Sequence, residues 1–590
     1  MTTGRGEPAR RVGLTLLAIT IVLTLFAGRM VQLQGMDSGY YKLKANQEKL
    51  AVADLPAERG FIYGANGQIL AMTVETYLVT ADPPLIPAGQ LPSVAAKAAG
   101  PLGMTTAQVL TLLEHPTSAD YVVLKSGVPA ANDLTLAALN LPGIESQGTF
   151  ARSYPNGNST ANIVGQTSES STTGVITGYS GLELADNTLL TGTTGKEQVE
   201  QSITGEQIPL AGSQDTPAKN GESIKLTIIP SLQYEAQQAC KQEVAKTKAD
   251  NCSVVVMQPK TGAILAMAQS GTLGAGTDIP DQSMFAPGST AKVITAAAAF
   301  EHGGKTPMSA YNIPYQIYRG GQYIHDAEWS PGEHYTIAGI IANSSNIGMS
   351  QVAASISPQT QYDYLKAFGL GEPTGLNLPG EEPSVAYAPA ALPPVSNWAA
   401  DERYTLSFGQ GLSVNAVQMA SVYATIANGG VRVQPTLVAG TFNAAGQYTA
   451  AKASPSKRVI QAKTASELVS ILQQVPAVDS EANQDWGDID GYAIAAKTGT
   501  SSEPSQPGQQ ACPKTNALCI HGSSYIGMAP GNNAQVVVAV NVQNPKTEND
   551  YFGDEVAGPV FYSVMNFALQ TLQIQPQPGL KAPYVRLNAG

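Results

Sequence analysis

The chain has 590 residues, with 33 Lys or Arg against 45 Asp or Glu, a net charge of −12. That length exceeds a single hydrophobic core and predicts several folded units, while the acidic balance argues against nucleic acid, whose phosphates attract basic surfaces. Hydrophobic residues at 43% and charged residues at 13% exclude a disordered chain, and 58 Gly with 39 Pro predict many turns.

Arg5, Arg10 and Arg11 precede an apolar run, VGLTLLAITIVLTLFAG, from Val12 to Gly28, which Met30, Val31 and Leu33 extend. A bilayer span takes roughly 17–25 residues. The run is therefore read as a single uncleaved transmembrane helix over 12–34. A cleaved signal peptide, using Phe26, Ala27 and Gly28, is the rival. Basic residues before the span put 1–11 in the cytoplasm and everything after about residue 35 outside the cell membrane.

Residues 35–220 hold short apolar runs broken by Gly, Pro, Ser and Thr, among them SESSTTGVITGYSG from Ser168 to Gly181, with no long helical pattern. This predicts a loop-rich, strand-rich accessory domain. From Gly221 the texture changes. LTIIPSLQ leads into a helix ending near Lys248, and VVVMQPKTGAILAMA from Val254 to Ala268 reads as a hairpin. Helices follow from Ser289 to about Val431. Strands are expected at Tyr492–Ala496, Ser523–Met528 and Val536–Val542, and a last helix from about Pro559 to Leu572. Strands from both ends of the region with helices between them predict an α+β domain over 221–577, an antiparallel sheet flanked by helices, followed by a tail, 578–590.

Cys240, Cys252, Cys512 and Cys519 form an even set on the oxidising side of the membrane. Local pairs, Cys240 with Cys252 and Cys512 with Cys519, are expected. Three pairings are formally open, as are buried free thiols. No CxxC or Cys/His spacing calls for a metal, and the five His residues read as structural.

Ser289-Thr290-Ala291-Lys292 lies between FAPG and VITAAAAF. A Ser in the first turn of a helix shares a face with the Lys three residues on, next to unpaired helix N–H groups. The hydroxyl is a weak nucleophile until a base takes its proton, and Lys292 serves as that base only when neutral, which burial or a nearby cation favours. Ser344-Ser345-Asn346 offers a hydroxyl and an amide from a turn. Lys497-Thr498-Gly499-Thr500 follows the strand YAIAA, where Lys497 and the Thr hydroxyls attract a carboxylate and Gly499 leaves room for close approach. Each motif alone is weak. Ser454–Lys457, Ser413-Val414-Asn415 and Lys260-Thr261-Gly262 match the same patterns. Order distinguishes them, because only 289, 344 and 497 give SxxK, SxN and KTG in sequence.

On these motifs the chain resembles class B penicillin-binding proteins of the division type, over nearly all its length after the anchor. Further segments carry the resemblance: ERGFIYGANGQILA from Glu58, with Gly64 and Ala65 where Asp-Arg is usual; RSYPNG from Arg152; GLE from Gly181; and LTIIPSLQ, with Ile229 where Asp is expected. FAPGSTAK has Ala286 and Ala291 in place of a Glu and an aromatic. LPGE from Leu378, FGQG from Phe408, IANGG from Ile426 and GDEVAGPVF from Gly553 complete it.

The resemblance implies an elongated pedestal, or dimerisation-like, domain at 35–220 and a penicillin-binding transpeptidase domain at 221–577. It implies that Ser289 attacks the penultimate D-Ala carbonyl of a stem peptide with Lys292 as base. Ser344 would relay a proton to the leaving amine, Asn346 would hold the substrate amide, and Lys497, Thr498 and Thr500 would orient its carboxylate. Backbone N–H groups of Ser289 and Thr500 would form the oxyanion hole. An amine of a neighbouring stem peptide would take the acyl group, and β-lactams would acylate Ser289. No metal or organic cofactor is implied. A membrane glycosyltransferase and divisome or elongation proteins are the expected partners. A β-lactamase lacks its ExxLN segment here, since Glu372 and Asn377 are spaced one residue too far. D,D-Carboxypeptidase or β-lactamase-like hydrolase action and a non-catalytic penicillin-binding scaffold or sensor remain as alternatives.

Overall fold

The computed structural model of the chain describes residues 8–33, 39, 50–87, 89–169, 175–201, 207–209, 216–271, 279–327, 332–380, 392–481, 489–504, 519–546, 551–577, 579 and 582–589. The chain divides into two units: residues 1–57 with 192–220, and residues 58–191 with 221–590.

In the first unit, the helix Pro8–Val31 is exposed along its apolar length. Its Ala9–Val31 stretch, with a mean hydropathy of 2.1, is long and apolar enough to cross a bilayer. The strands Leu50–Leu55, Gly195–Gln201 and Gln207–Pro209 form an antiparallel sheet.

In the second unit, a seven-stranded sheet is built on the long strand Ile69–Ala81, which pairs with Val122–Pro129 and Ile144–Ser153. It is completed by Ile62–Tyr63, which joins it to strands after residue 221, namely Ser223–Leu226, Val438–Phe442 and Tyr448–Ala450. The region 58–191 is not without helices, as its broken apolar runs suggested. Leu91–Leu102, Thr106–Glu114 and Ala130–Ala138 are helical, and the first buries Val94, Ala95, Ala98, Ala99 and Leu102 at helical spacing. Alanine carries that apolar stripe, so its hydrophobic contrast is weak.

Three segments of the resemblance meet in one buried ion cluster. Arg59 Nε lies 2.6 Å from one Glu183 oxygen and Arg152 Nε 2.7 Å from the other, with all three side chains at most 3% exposed. Arg59 also donates to Asn187 and Thr191, so the charges are largely hydrogen-bonded.

The rest of the second unit holds a five-stranded antiparallel sheet, ordered 264–271, 251–257, 536–543, 519–529 and 495–504. Its strands are buried on both faces. Val255 and Met257 join the core of helices Lys292–His302 and Ala416–Ala427, while Cys252, Val254 and Val256 join that of helices Pro230–Thr247 and Gly553–Thr571. The expected hairpin is the pair 251–257 and 264–271. Several boundaries differ from expectation, among them the strand expected at Ser523–Met528, which spans Cys519–Ala529. The Lys497 strand begins at Ala495 rather than Tyr492 and runs on to Pro504, because it pairs with 519–529 over its whole length. The last helix begins at Gly553, with Asp554 and Glu555 in the first turn and Pro559 inside it. Acidic residues suit that end of the helix dipole.

Cys240 and Cys252 form a disulfide with Cα atoms 5.4 Å apart. It ties the middle of the helix Pro230–Thr247 to the adjoining strand Asn251–Met257. Cys512 lies outside the described residues, and with it the expected second pair to Cys519.

Candidate active site

Ser289 sits in a tight 3-10 turn, Gly288–Ala291, that runs directly into the helix Lys292–His302. Gly288 takes φ +54°, and a Cβ there would meet Thr500 O at 2.6 Å and Thr500 N at 3.3 Å. The glycine therefore lets the Ser289 turn lie against the edge strand, with the peptide of Thr500 beside it. Gly499 makes the matching concession. A Cβ on it would stand 2.7 Å from Pro287 O and 2.9 Å from the Thr290 methyl. Gly409 of FGQG closes the other side, its carbonyl accepting from the Gly288 N–H at 3.0 Å. Tyr423, fully buried, donates its hydroxyl to Thr290 O at 3.0 Å.

Lys292 is the first residue of its helix and is wholly excluded from solvent. Burial, joined by the charge of Lys497, pushes its amine well below the ordinary lysine range, against an opposing pull from Asp326. Its hydrogen bonds run to Ser344, to the backbone oxygen and, at 3.3 Å, to Oγ. The amine thus ties the SxxK helix to the SxN turn.

Ser344 adopts φ +56°, a left-handed conformation uncommon for a side chain other than Asn, Asp or Gly. Its N–H bonds Ile341 O, and Ser345 N–H bonds Ile340 O, so the turn caps the end of the helix Ile337–Ala342. Ser345 then caps the next helix, Asn346–Ala353, through Gly348 N. Asp326 anchors both, accepting from Ser345 Oγ at 2.6 Å and Ile347 N at 2.8 Å. The Asn346 amide donates to His325 O at 3.3 Å. Asp326 escaped the sequence reading, since nothing local marks a carboxylate that serves a turn further along the chain.

Lys497 is the third residue of the edge strand and is also fully buried. Its amine reaches Thr498 Oγ1 at 3.0 Å. Thr500 Oγ1 accepts from Gly553 N–H at 3.2 Å, and a Cβ on Gly553 would meet Gly499 O and Ser524 O at 2.5 Å. The GDE start of the last helix therefore backs the KTG strand directly.

The structure brings Lys292 into contact with Ser344 and into the field of Lys497, and seats the Ser289 turn against Thr500. The rival motifs lie elsewhere in role. Ser456 and Lys457 are on an exposed strand. Gly262 ends a hairpin turn with φ +73°. Asn415 forms a capping box with Gln418. Among the described residues there is no cluster of three or more His, Cys, Asp or Glu able to hold a metal.

Comparison with known families agrees in both halves of the chain. The family model of the penicillin binding protein transpeptidase domain matches residues 252–566, and that of the penicillin-binding protein dimerisation domain matches 54–226. Penicillin-binding protein PbpB of Mycolicibacterium smegmatis is 30% identical over 95% of this chain and 91% of its own length. Peptidoglycan D,D-transpeptidase FtsI of Escherichia coli is 28% identical over 95% and 91%. The crystal structure of penicillin binding protein 3 from Mycobacterium tuberculosis complexed with ampicillin superposes with a TM-score of 0.67 at 26% identity, covering 91% of this chain and all of that one.

Proposed function

The chain belongs to the penicillin-binding protein family, in its class B, division-type branch, and on that premise we propose that it cross-links stem peptides through an acyl-enzyme on Ser289. It is a peptidoglycan D,D-transpeptidase, and β-lactams bind it. Residues 221–577 form the transpeptidase domain and 35–220 the pedestal. A single span at 12–34 leaves both outside the membrane, with the N-terminus in the cytoplasm, within reach of a membrane glycosyltransferase and divisome proteins.

The single observation that carries the serine mechanism is the burial of Lys292 beside a second cation. In its neutral form that amine takes the Ser289 proton as Oγ bonds to the penultimate D-Ala carbonyl carbon. The oxyanion that forms is met by the N–H groups of Ser289 and Thr500, each such donor being worth about 3–4 kcal/mol in other enzymes. The Lys292–Ser344 hydrogen bond supports a proton path. The proton passes through Ser344 Oγ to the departing D-Ala amine as the C–N bond breaks. Lys497, Thr498 and Thr500 hold the terminal carboxylate, and Asn346 the substrate amide. The acceptor amine then attacks the ester, returns its proton by the same path and frees Ser289.

Mass spectrometry of the full chain with a β-lactam should show one adduct on the peptide carrying Ser289, absent in Ser289→Ala. A donor thioester with an amine acceptor should then give the amide product. An adduct that persists in Ser289→Ala overturns the nucleophile. Hydrolysis with no amide formed would favour a carboxypeptidase.

A further inference from the structure

We propose that residues 582–589 are a positioning element of the active site, acting on the SxN turn through Gly339. The inference rests on the reading of Ser344 as a proton relay. This segment belongs to the stretch 578–590, which was expected to be a C-terminal tail. It runs instead along the free side of the strand Glu333–Thr336, whose other side pairs with Ala310–Ile313. Ala589 N–H donates to His334 O at 2.7 Å, and Thr336 N–H to Leu587 O at 2.9 Å, with Tyr335 and Asn588 forming an antiparallel bridge. The Thr336 hydroxyl donates to Arg586 O at 2.7 Å. Val585 and Leu587 pack against the main core, and Pro583 O accepts from the Gln474 amide at 2.9 Å.

Thr336 is also the cap of the short helix Ile337–Ala342, accepting from Gly339 N–H at 3.1 Å. Gly339 is flush with the segment, since a Cβ on it would come within 2.1 Å of Leu587 O. From there the contacts lead to the chemistry in two steps. Gly339 O receives both the backbone N–H and the side-chain amide of Asn343, at 2.9 and 3.0 Å. Asn343 precedes Ser344, whose carbonyl and hydroxyl receive the Lys292 amine. All six residues of the helix are buried, so a shift at its capped end passes to its other end with little loss. Displacing a reacting group by about 1 Å can cost around a hundredfold in rate.

The test uses the full chain in detergent, ended after Lys581, with acylation by a fluorescent penicillin resolved into the dissociation constant of the initial complex and the acylation rate k2. The expected result is a k2 lowered by roughly tenfold with the dissociation constant unchanged, because the KTG strand is left intact. A synthetic peptide of residues 582–590 added in trans should restore k2. Gly339→Ala should mimic the deletion in the full chain and add nothing to it in the shortened chain, where the methyl has nothing to strike. If the shortened chain does not fold, Ala589→Pro, which removes only the donor to His334, and Gly339→Ala carry the measurement. An unchanged k2, a k2 that the peptide fails to restore, or losses from Gly339→Ala and the deletion that simply multiply would each overturn the proposal. Ser344→Ala is the control. If it lowers k2 and the deletion does not, this inference fails while the mechanism stands; if it has no effect, the relay reading itself fails.

Discussion

The Lys292 amine lies in the field of Lys497: both side chains are wholly buried, and desolvation, joined by the charge of Lys497, pushes the Lys292 amine well below the ordinary lysine range. Asp326 pulls the opposite way. Besides burial, the Lys292 amine is thus tuned by two residues far from it in sequence.

Acylation should accordingly keep its full rate at pH values well below the ordinary lysine pKa of about 10.4 and fall only as Lys292 takes up a proton. Lys497→Met removes the repelling charge, so protonation becomes easier and the acid limb moves to higher pH. Asp326→Asn removes the attraction and moves it to lower pH. Stopped-flow acylation rates by a penicillin across pH would show both shifts. Limbs that stay in place in both variants would exclude Lys292 as the titrating base.

The same depression predicts a stability cost. The unfolded chain holds the Lys292 proton where the folded one does not, so stability rises with pH from the lowered folded value up to the ordinary one, and is smallest below that window. Lys292→Met, of similar length and without a charge to strip of water, should melt higher by roughly 2 °C or more while acylating no faster than Ser289→Ala. Differential scanning fluorimetry checks this, and a lower melting point would mean that the bonds to Ser344 outweigh the desolvation.

The Arg59–Glu183–Arg152 cluster makes the opposite kind of prediction. Glu183→Gln leaves two guanidiniums buried without a counter-charge, which typically costs about 3–5 kcal/mol. Thermal unfolding should move down by several degrees, with the acylation rate of the folded fraction unchanged at a site built from other segments. An unaltered melting curve would show that Asn187 and Thr191 suffice for Arg59.

Much of this was legible because the chemistry is local. SxxK occupies one turn, KTG one strand and SxN one cap, so short-range spacing reports them. What escaped the sequence reading are partners that act across the fold. Asp326 serves a turn further on, Tyr423 reaches Thr290 O from another helix, and Gly553 backs Thr500. The departures from the family pattern also become intelligible only in three dimensions. Ile229, where an Asp was expected, gives up a side-chain helix cap and packs against the core behind the sheet. Gly64, where an Asp was expected, lies so close to Pro230 that a Cβ would approach its ring to 2.8 Å.

The Cys240–Cys252 bond closes a loop with a sequence separation of 12. Chain-entropy arguments give about 3 kcal/mol for a loop of that order. The double variant Cys240→Ala, Cys252→Ala should therefore unfold at lower denaturant, and acylate normally in its absence. The bond ties a helix to a strand at the far side of the sheet's core from Lys292. Equal midpoints with and without the bond would show that packing alone holds the two elements.

Gly499 is the position where the smallest change should cost the most. An added methyl would face Ser524 Oγ at 2.4 Å, Pro287 O at 2.7 Å and the Thr290 methyl at 2.9 Å, and two of these atoms belong to the turn that carries Ser289. Ser524 can rotate away, but Pro287 O is backbone and Thr290 is fully buried, with its hydroxyl committed to Pro287 O. Relief therefore requires the edge strand and the nucleophile turn to part. That opening separates the Thr500 N–H from the Ser289 N–H, and loss of one such donor elsewhere costs about a hundredfold or more. Gly499→Ala should lower the acylation rate by about that factor. The overpacking itself should cost about 1–3 kcal/mol of stability. Gly446→Ala, where nothing stands within 4 Å but φ is +76°, controls for the general strain of replacing a glycine. It should destabilise without slowing acylation. Equal acylation by Gly499→Ala and the parent would mean that the close seating of the turn on the strand is not what aligns the two donors.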